Sequence, residues 1–381
     1  MKNDEQAGTS AIGRREFMKI GGGAGALVTE GALMTALRTD LMAQSKVPGV
    51  NWWDAKPGKT GAGKPVSIDC HSHWSPTPYN KVLADLGFPV NNPFPLDYDL
   101  EKRLQYMDER GIQMHVLTLA GGMPWQKTTA EGNARLATAI NDAGVEAHIK
   151  YPDRFTVGVE MPVRDAQLCL KELDRVAGKP GVRAVHLCDS IERHDYLFDP
   201  EFQPLLARIE QLGLPIIFHQ MDGEPNAYGG ARNAGPPNLA AGLDAPIEHT
   251  VMATKFIITG TLDKFPKLEM VLPHAGGTFP YLAGRVEHFL YHMQNPGAVK
   301  LALPFRDYIR RFHYDYLIYY PEAFRFLVDM VGTDRIVVGT DDFAAKDVDY
   351  PNNVLDQFNL SPADRDRILR GNAVRLLGLK S

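Results

Sequence analysis

From residue 65 onward, short apolar runs alternate with longer stretches in which apolar residues recur every three or four positions. Eight runs read as strands: residues 66–70, 114–119, 155–161, 182–187, 214–219, 268–273, 313–318 and 335–340. The segments 100–110, 129–150, 166–177, 202–212, 245–265 and 323–331 carry helical periodicity, and Gly111, Gly213 and Gly332 each stand where a helix stops. Strand and helix in such alternation predict an α/β fold with a parallel sheet, and eight units predict a (β/α)8 TIM barrel in one domain, residues 65–381. Loops that follow the strands of such a barrel form its active face. Two of them are long, residues 72–99 and 220–244, and are expected to shape a substrate pocket.

The first 64 residues carry no such alternation. Gly13-Arg14-Arg15-Glu16-Phe17-Met18-Lys19 precedes a weakly apolar, glycine-rich stretch and small residues near Ala43. This resembles a twin-arginine export signal over residues 1–43, an address read by the translocation machinery, and it implies a soluble periplasmic protein. Residues 44–64, rich in Gly, Pro and Lys, read as a linker.

Composition narrows the class. With 44% apolar and 23% charged residues the chain is globular, and a net charge of -5 without a basic run argues against nucleic acid as a partner. A small molecule is the expected partner. Three cysteines are too few and too scattered for a disulfide framework, so the fold must rest on its core.

Candidate chemistry gathers at strand ends. His71 and His73 close the first strand, His219 the fifth, His274 the sixth and Asp341 the eighth. In an ideal strand Asp69, His71 and His73 would share one face, with Cys70 and Ser72 on the other. Side chains from the ends of different barrel strands converge on one rim. His71, His73, His219 and Asp341 then form a candidate set of metal ligands with room for a water, whose pKa a divalent ion lowers. His274 is left free to act as a general base or to hold substrate. Zn2+ is the expected ion, with Mn2+ or Fe2+ as alternatives. Trp74 and Trp125 fall on the same rim, where they either stack on a substrate or seal the barrel mouth. His249, His288 and His292, in helical stretches, read as packing or surface residues.

Several blocks carry a resemblance over most of the chain: residues 103–111, Pro180-Gly-Val182, Phe265-Pro-Lys-Leu268, His274-Ala-Gly-Gly277, residues 280–285, Gly339-Thr-Asp341 and Gly371-Asn-Ala373. Together they resemble the amidohydrolase superfamily, in particular the branch of metal-dependent decarboxylases around aminocarboxymuconate semialdehyde decarboxylase. The resemblance implies a distorted (β/α)8 barrel with the metal site at the C-terminal face of the strands, and a homodimer. It implies that His71, His73, His219 and Asp341 bind the metal and that His274 is the catalytic acid or base. It further implies that Arg285 reaches across the dimer to a substrate carboxylate. Three departures stand out. Residues 91–98 hold no second carboxylate-binding arginine, Asp342 stands where the branch has an aromatic residue, and the fourth strand ends without the metal-bridging lysine of binuclear relatives. One metal is therefore expected, with His186 or Cys188 as the only candidates for holding another.

The expected activity is decarboxylation of a small unsaturated or aromatic acid. A hydrolase of an amide, ester or lactone would use the same metal and water, and a non-catalytic periplasmic binding protein would need the ligands without the free base.

Overall fold

The structure, a computed structural model, describes residues 66–90, 94–119, 124–220, 239–293, 299–341, 355–356 and 358–379. The expected export signal and linker, Asp342 and most of the 220–244 loop lie outside them. Eight strands run β1 (Ser67–Trp74), β2 (Ile112–Leu119), β3 (Phe155–Glu160), β4 (Val182–Cys188), β5 (Ile216–His219), β6 (Met270–Leu272), β7 (Phe312–Asp315) and β8 (Ile336–Val337). They pair in sequence order, each parallel to the next, and a parallel bridge from Asp69 to Val338 joins the last to the first. The sheet is a TIM barrel. Each strand coincides with an expected run, because strands covered on both faces are apolar almost throughout.

The helices between them include α1 (Thr77–Asp85), α2 (Leu100–Arg110), α3 (Ala130–Lys150), α4 (Ala166–Val176), α5 (Gln203–Leu212), α6 (Ala245–Ile258), α7 (Phe279–Glu287), α8 (Pro321–Val331) and α9 (Asn372–Leu376). Their ends follow from local chemistry. The Asp99 carboxylate accepts the first free amides of α2, from Glu101 and Lys102, and Gly111 ends that helix at a φ of 68°. The helix expected over 245–265 stops at Ile258, because Gly260 turns left-handed at a φ of 72° before a further turn at Thr261–Lys264. Among the described residues no helix is long and apolar enough to cross a membrane.

Apolar side chains from six strands fill the barrel: Ile68, Val116, Ala184, Ile217, Val271 and Val337, with Ala373 and Leu376 of α9 in the same cluster. On β1, β5, β6 and β8 these positions precede the site residues, so the packed interior forms the floor beneath the site. Cys70 belongs to this interior cluster, which corrects the simple alternation expected of β1. Asp69 pairs with His115 and Ser72 with Leu117, so three steps on β1 face two on β2. Such a bulge shifts which side chains share a face. Ile68 and Cys70 therefore point inward, and His71 and His73 point inward beyond them.

Asp69 does not join the histidines. Its carboxylate accepts from the Thr340 hydroxyl at 2.5 Å and from the His71 amide at 2.9 Å, and lies 3.5 Å from His115 Nε2. Arg103, fully buried on α2, donates to His115 Nδ1 at 2.9 Å and to the carbonyls of Leu96 and His73. This polar network braces the ligand-bearing end of β1 from outside the barrel.

Candidate active site

His71 lies within the bulge of β1 and His73 past it, His219 is the last residue of β5, and His274 and Asp341 follow the ends of β6 and β8. The backbone turns left-handed at both of the last two, with φ of 50° at His274 and 52° at Asp341. Non-glycine residues in that region carry a cost of about 1–3 kcal/mol, which the surroundings must meet. At His274 they do so through Asp315, the last residue of β7, whose carboxylate accepts the amides of His274 at 2.9 Å and Ala275 at 2.8 Å.

Hydrogen bonds behind the rings decide which nitrogens face the centre. His71 Nδ1 lies 2.7 Å from Asp315 Oδ2, His73 Nδ1 lies 2.8 Å from the Leu119 carbonyl, and His219 Nδ1 lies 3.2 Å from the Gln220 carbonyl. Each partner is an acceptor only, so each Nδ1 carries the proton and each Nε2 keeps its lone pair. The three rings stand 4.5 to 5.2 Å apart, centroid to centroid. Among the described residues, His71 Nε2 and His219 Nε2 are buried with no hydrogen-bond partner. Asp341 divides its two oxygens: Oδ1 lies 3.0 Å from His73 Nε2 and 3.5 Å from His71 Nε2, while Oδ2 lies 3.5 Å from His274 Nε2. One ligand atom from each of His71, His219, His274 and Asp341 fits within 4.8 Å. Lone pairs from neutral imidazoles beside a carboxylate oxygen are a donor set for one divalent cation.

The electrostatics agree with that use. Burial holds the His71 imidazole below its ordinary value despite Asp315, and burial with the neighbouring His73 and His71 holds His219 well below it. Both are neutral, as ligands must be. Burial works against the charge on Asp341, but the hydrogen bond from His274 and the neighbouring His71 and His73 outweigh it and keep the carboxyl well below the usual range. Asp315 behaves alike, with His71 overcoming burial.

A family model described as Amidohydrolase matches residues 68–379. The chain belongs to the amidohydrolase family. Relatives include 2-amino-3-carboxymuconate-6-semialdehyde decarboxylase of Dictyostelium discoideum, 25% identical over 86% of this chain and 89% of that protein. Gamma-resorcylate decarboxylase of Rhizobium sp. is 27% identical over 73% of this chain and 87% of that protein. Among solved structures, a dihydroxybenzoic acid decarboxylase from Polaromonas sp. JS666, with bound manganese and the inhibitor 2-nitroresorcinol, superposes with a TM-score of 0.69 at 22% identity, covering 82% of this chain and 97% of that one. The histidine–aspartate cluster of this amidohydrolase and the manganese of that structure imply a divalent metal.

Other side chains singled out in the sequence fall elsewhere. Arg285 is exposed on α7, its guanidinium 4.6 Å above the Phe289 ring. Trp74 and Trp125 are 3% and 1% exposed and belong to the large apolar cluster around the barrel. His186 hydrogen-bonds Glu160 at 2.7 Å and Cys188 meets the Tyr196 hydroxyl at 3.7 Å; burial pushes the Cys188 thiol up. Among the described residues neither joins a group of potential metal ligands.

Three residues of this family member were given no role at the site from its sequence: Asp315, Asp189 and His249. Asp315 was readable, since a carboxylate at the end of a barrel strand is the signal that flagged Asp341. His249, read as a packing residue, is instead bonded through Nε2 to His274 Nδ1 at 2.9 Å and through Nδ1 to Asp189 Oδ2 at 2.5 Å. No spacing pattern links those three positions.

Proposed function

We propose that this amidohydrolase is a metal-dependent carboxy-lyase acting on a small aromatic or unsaturated carboxylic acid. The observation that carries it is the division of labour at Asp341, whose Oδ1 faces the lone pairs of His71 and His73 while Oδ2 faces His274. His71, His73, His219 and Asp341 would hold the cation, and His274 stands beside it on the other carboxylate oxygen. A divalent ion held there would supply positive charge that binds and orients substrate oxygens. His274, as the imidazolium that Asp341 favours, delivers its Nε2 proton to the carbon bearing the carboxylate. The bond to the carboxylate carbon then breaks, its electron pair returns to the ring or double bond, and CO2 leaves. His274 recovers its proton from water, so one carboxylate is exchanged for one hydrogen. The decarboxylase names of the relatives support this class over hydrolysis.

The test is a panel of hydroxybenzoic and unsaturated acids assayed for CO2 release beside a panel of esters, lactones and amides. Release of CO2 with no hydrolysis is expected; hydrolysis alone overturns the reading. Removing the ion with a chelator should abolish turnover, and refilling with Zn2+, Mn2+ or Fe2+ identifies the native ion, for which Zn2+ is our choice. Three imidazoles and a carboxylate suit it.

The same reading extends to assembly and location. Arg285 lies on a helix face that also exposes Tyr281 and Phe289. In a homodimer that buries this face, its guanidinium would reach a substrate carboxylate in the partner. Arg285→Ala should then raise KM while leaving metal content unchanged. Arg14 and Arg15 address the chain to twin-arginine export, and replacing both with lysine should retain it in the cytoplasm.

A further inference from the structure

His274 is held from behind by a buried column that the metal cluster does not require. Its ring stacks on that of His249, with centroids 5.1 Å apart and planes 25° from parallel. Asp189, His249 and His274 are joined by the two hydrogen bonds given above. Asp189 and His249 are 1% and 0% exposed. Asp189 Oδ1 has no hydrogen-bond partner among the described residues, and the carboxylate sits in the interior with Oδ2 accepting from His249 Nδ1. A buried carboxylate held this sparingly costs stability, and leucine or phenylalanine would pack there without that penalty. Function is the physical reason to keep it.

Proton counting shows what the column does. Asp189 can only accept, so His249 Nδ1 carries the proton of that bond, and neutral His249 offers a bare Nε2. Across the next gap His274 must therefore donate from Nδ1. Its Nε2 is left as the nitrogen that faces Asp341 Oδ2 and the site. We infer that Asp189 and His249 are positioning residues that keep the Nδ1 proton of His274 in place, so that the proton exchanged with substrate and water is the one on Nε2. The inference rests on the reading of His274 as the proton carrier. Asp189 is also tied to the metal side of the barrel, since its amide donates to the His219 carbonyl at 3.3 Å. Asp189, which follows β4, and the ligand His219, the last residue of β5, are thus joined where that strand pair ends.

Two variants of His249 separate positioning from packing. His249→Leu fills the space without an acceptor, whereas the Oε1 of His249→Gln can take the His274 Nδ1 proton. In the full-length metal-loaded protein, His249→Leu should lower kcat about 100-fold with little change in KM or metal content, and His249→Gln should restore most of it. Asp189→Asn, which can present its amide nitrogen to His249 and reverse both tautomers, should lower kcat in the same way and serves as the test should His249→Leu fail to fold. Nitrogen-15 histidine spectra give a readout independent of turnover. In its neutral form His274 should be the Nδ1–H tautomer in the parent and in His249→Gln, with the Nε2–H form appearing in His249→Leu and Asp189→Asn. Unchanged kcat and an unchanged His274 tautomer in those two variants overturn the inference. Full activity of His274→Ala overturns instead the acid–base reading beneath it, and the spectra tell the two failures apart.

Discussion

His71 on β1 donates its Nδ1 proton to Asp315 on β7 across 2.7 Å, reaching past β8, which lies between them in the barrel. The approach is possible because β8 continues into Gly339, where a Cβ would come within 2.8 Å of the Cβ atoms of both His71 and Asp315. Asp315 then serves two site residues at once, setting the tautomer of His71 and accepting the amide of His274 in its left-handed turn.

Asp315→Asn should weaken metal binding about 10- to 100-fold, since an amide is a poorer acceptor for a ligand histidine than a carboxylate. Competition with a chromophoric chelator measures this. Parent-like affinity in the variant would mean that the carboxylate does not tune His71.

Gly339→Ala should separate His71 from Asp315. Overpacking of this kind costs about 1–3 kcal/mol, so a lower Tm is expected together with loss of metal measured by elemental analysis. A variant with unchanged Tm and full metal content would show that the two strands can give way at no cost.

His219 and His274 should separate binding from turnover. His219→Ala removes a buried lone pair aimed at the cluster and is expected to lose both metal and activity. His274→Ala should keep the metal and lose about 100- to 10,000-fold in kcat. Loss of metal in both would make His274 a ligand as well.

His313 on β7 gives the fold a pH dependence away from the site. Burial, reinforced by Arg335 and Arg375, pushes its pKa down to about 3, and Arg375 donates to its Nε2 at 2.7 Å. The unfolded chain holds histidine near about 6.5. Below that value the unfolded state binds a proton that the native state refuses. Stability from this group is therefore complete above about pH 6.5 and is lost progressively as pH falls toward 3. Urea unfolding at pH 7 and pH 5 should show the drop in the parent and a smaller one in His313→Gln. Equal slopes would assign the pH dependence to other groups.

The barrel was readable because its strands are buried on both faces and appear as apolar runs, each followed by helical periodicity. The candidate ligands were readable because they close those runs. The geometry of β1 was not: alternation places Asp69 with His71 and His73, and only the bulge against β2 sends Asp69 outward to Thr340 and His115. The partners of the site were equally hidden. His71 and Asp315 lie 244 residues apart and Asp189 and His249 lie 60 apart, with no local pattern to join them.

By itself the sequence determined the number and order of the strands, the rim on which chemistry collects and the residue types available there, since hydrophobic periodicity and strand ends are local properties of the chain. Tertiary structure alone decided the tautomers of His71, His73, His219 and His274. Which nitrogen of an imidazole keeps its lone pair depends on the acceptor packed behind the ring, and those acceptors arrive from other strands and helices only when the barrel closes.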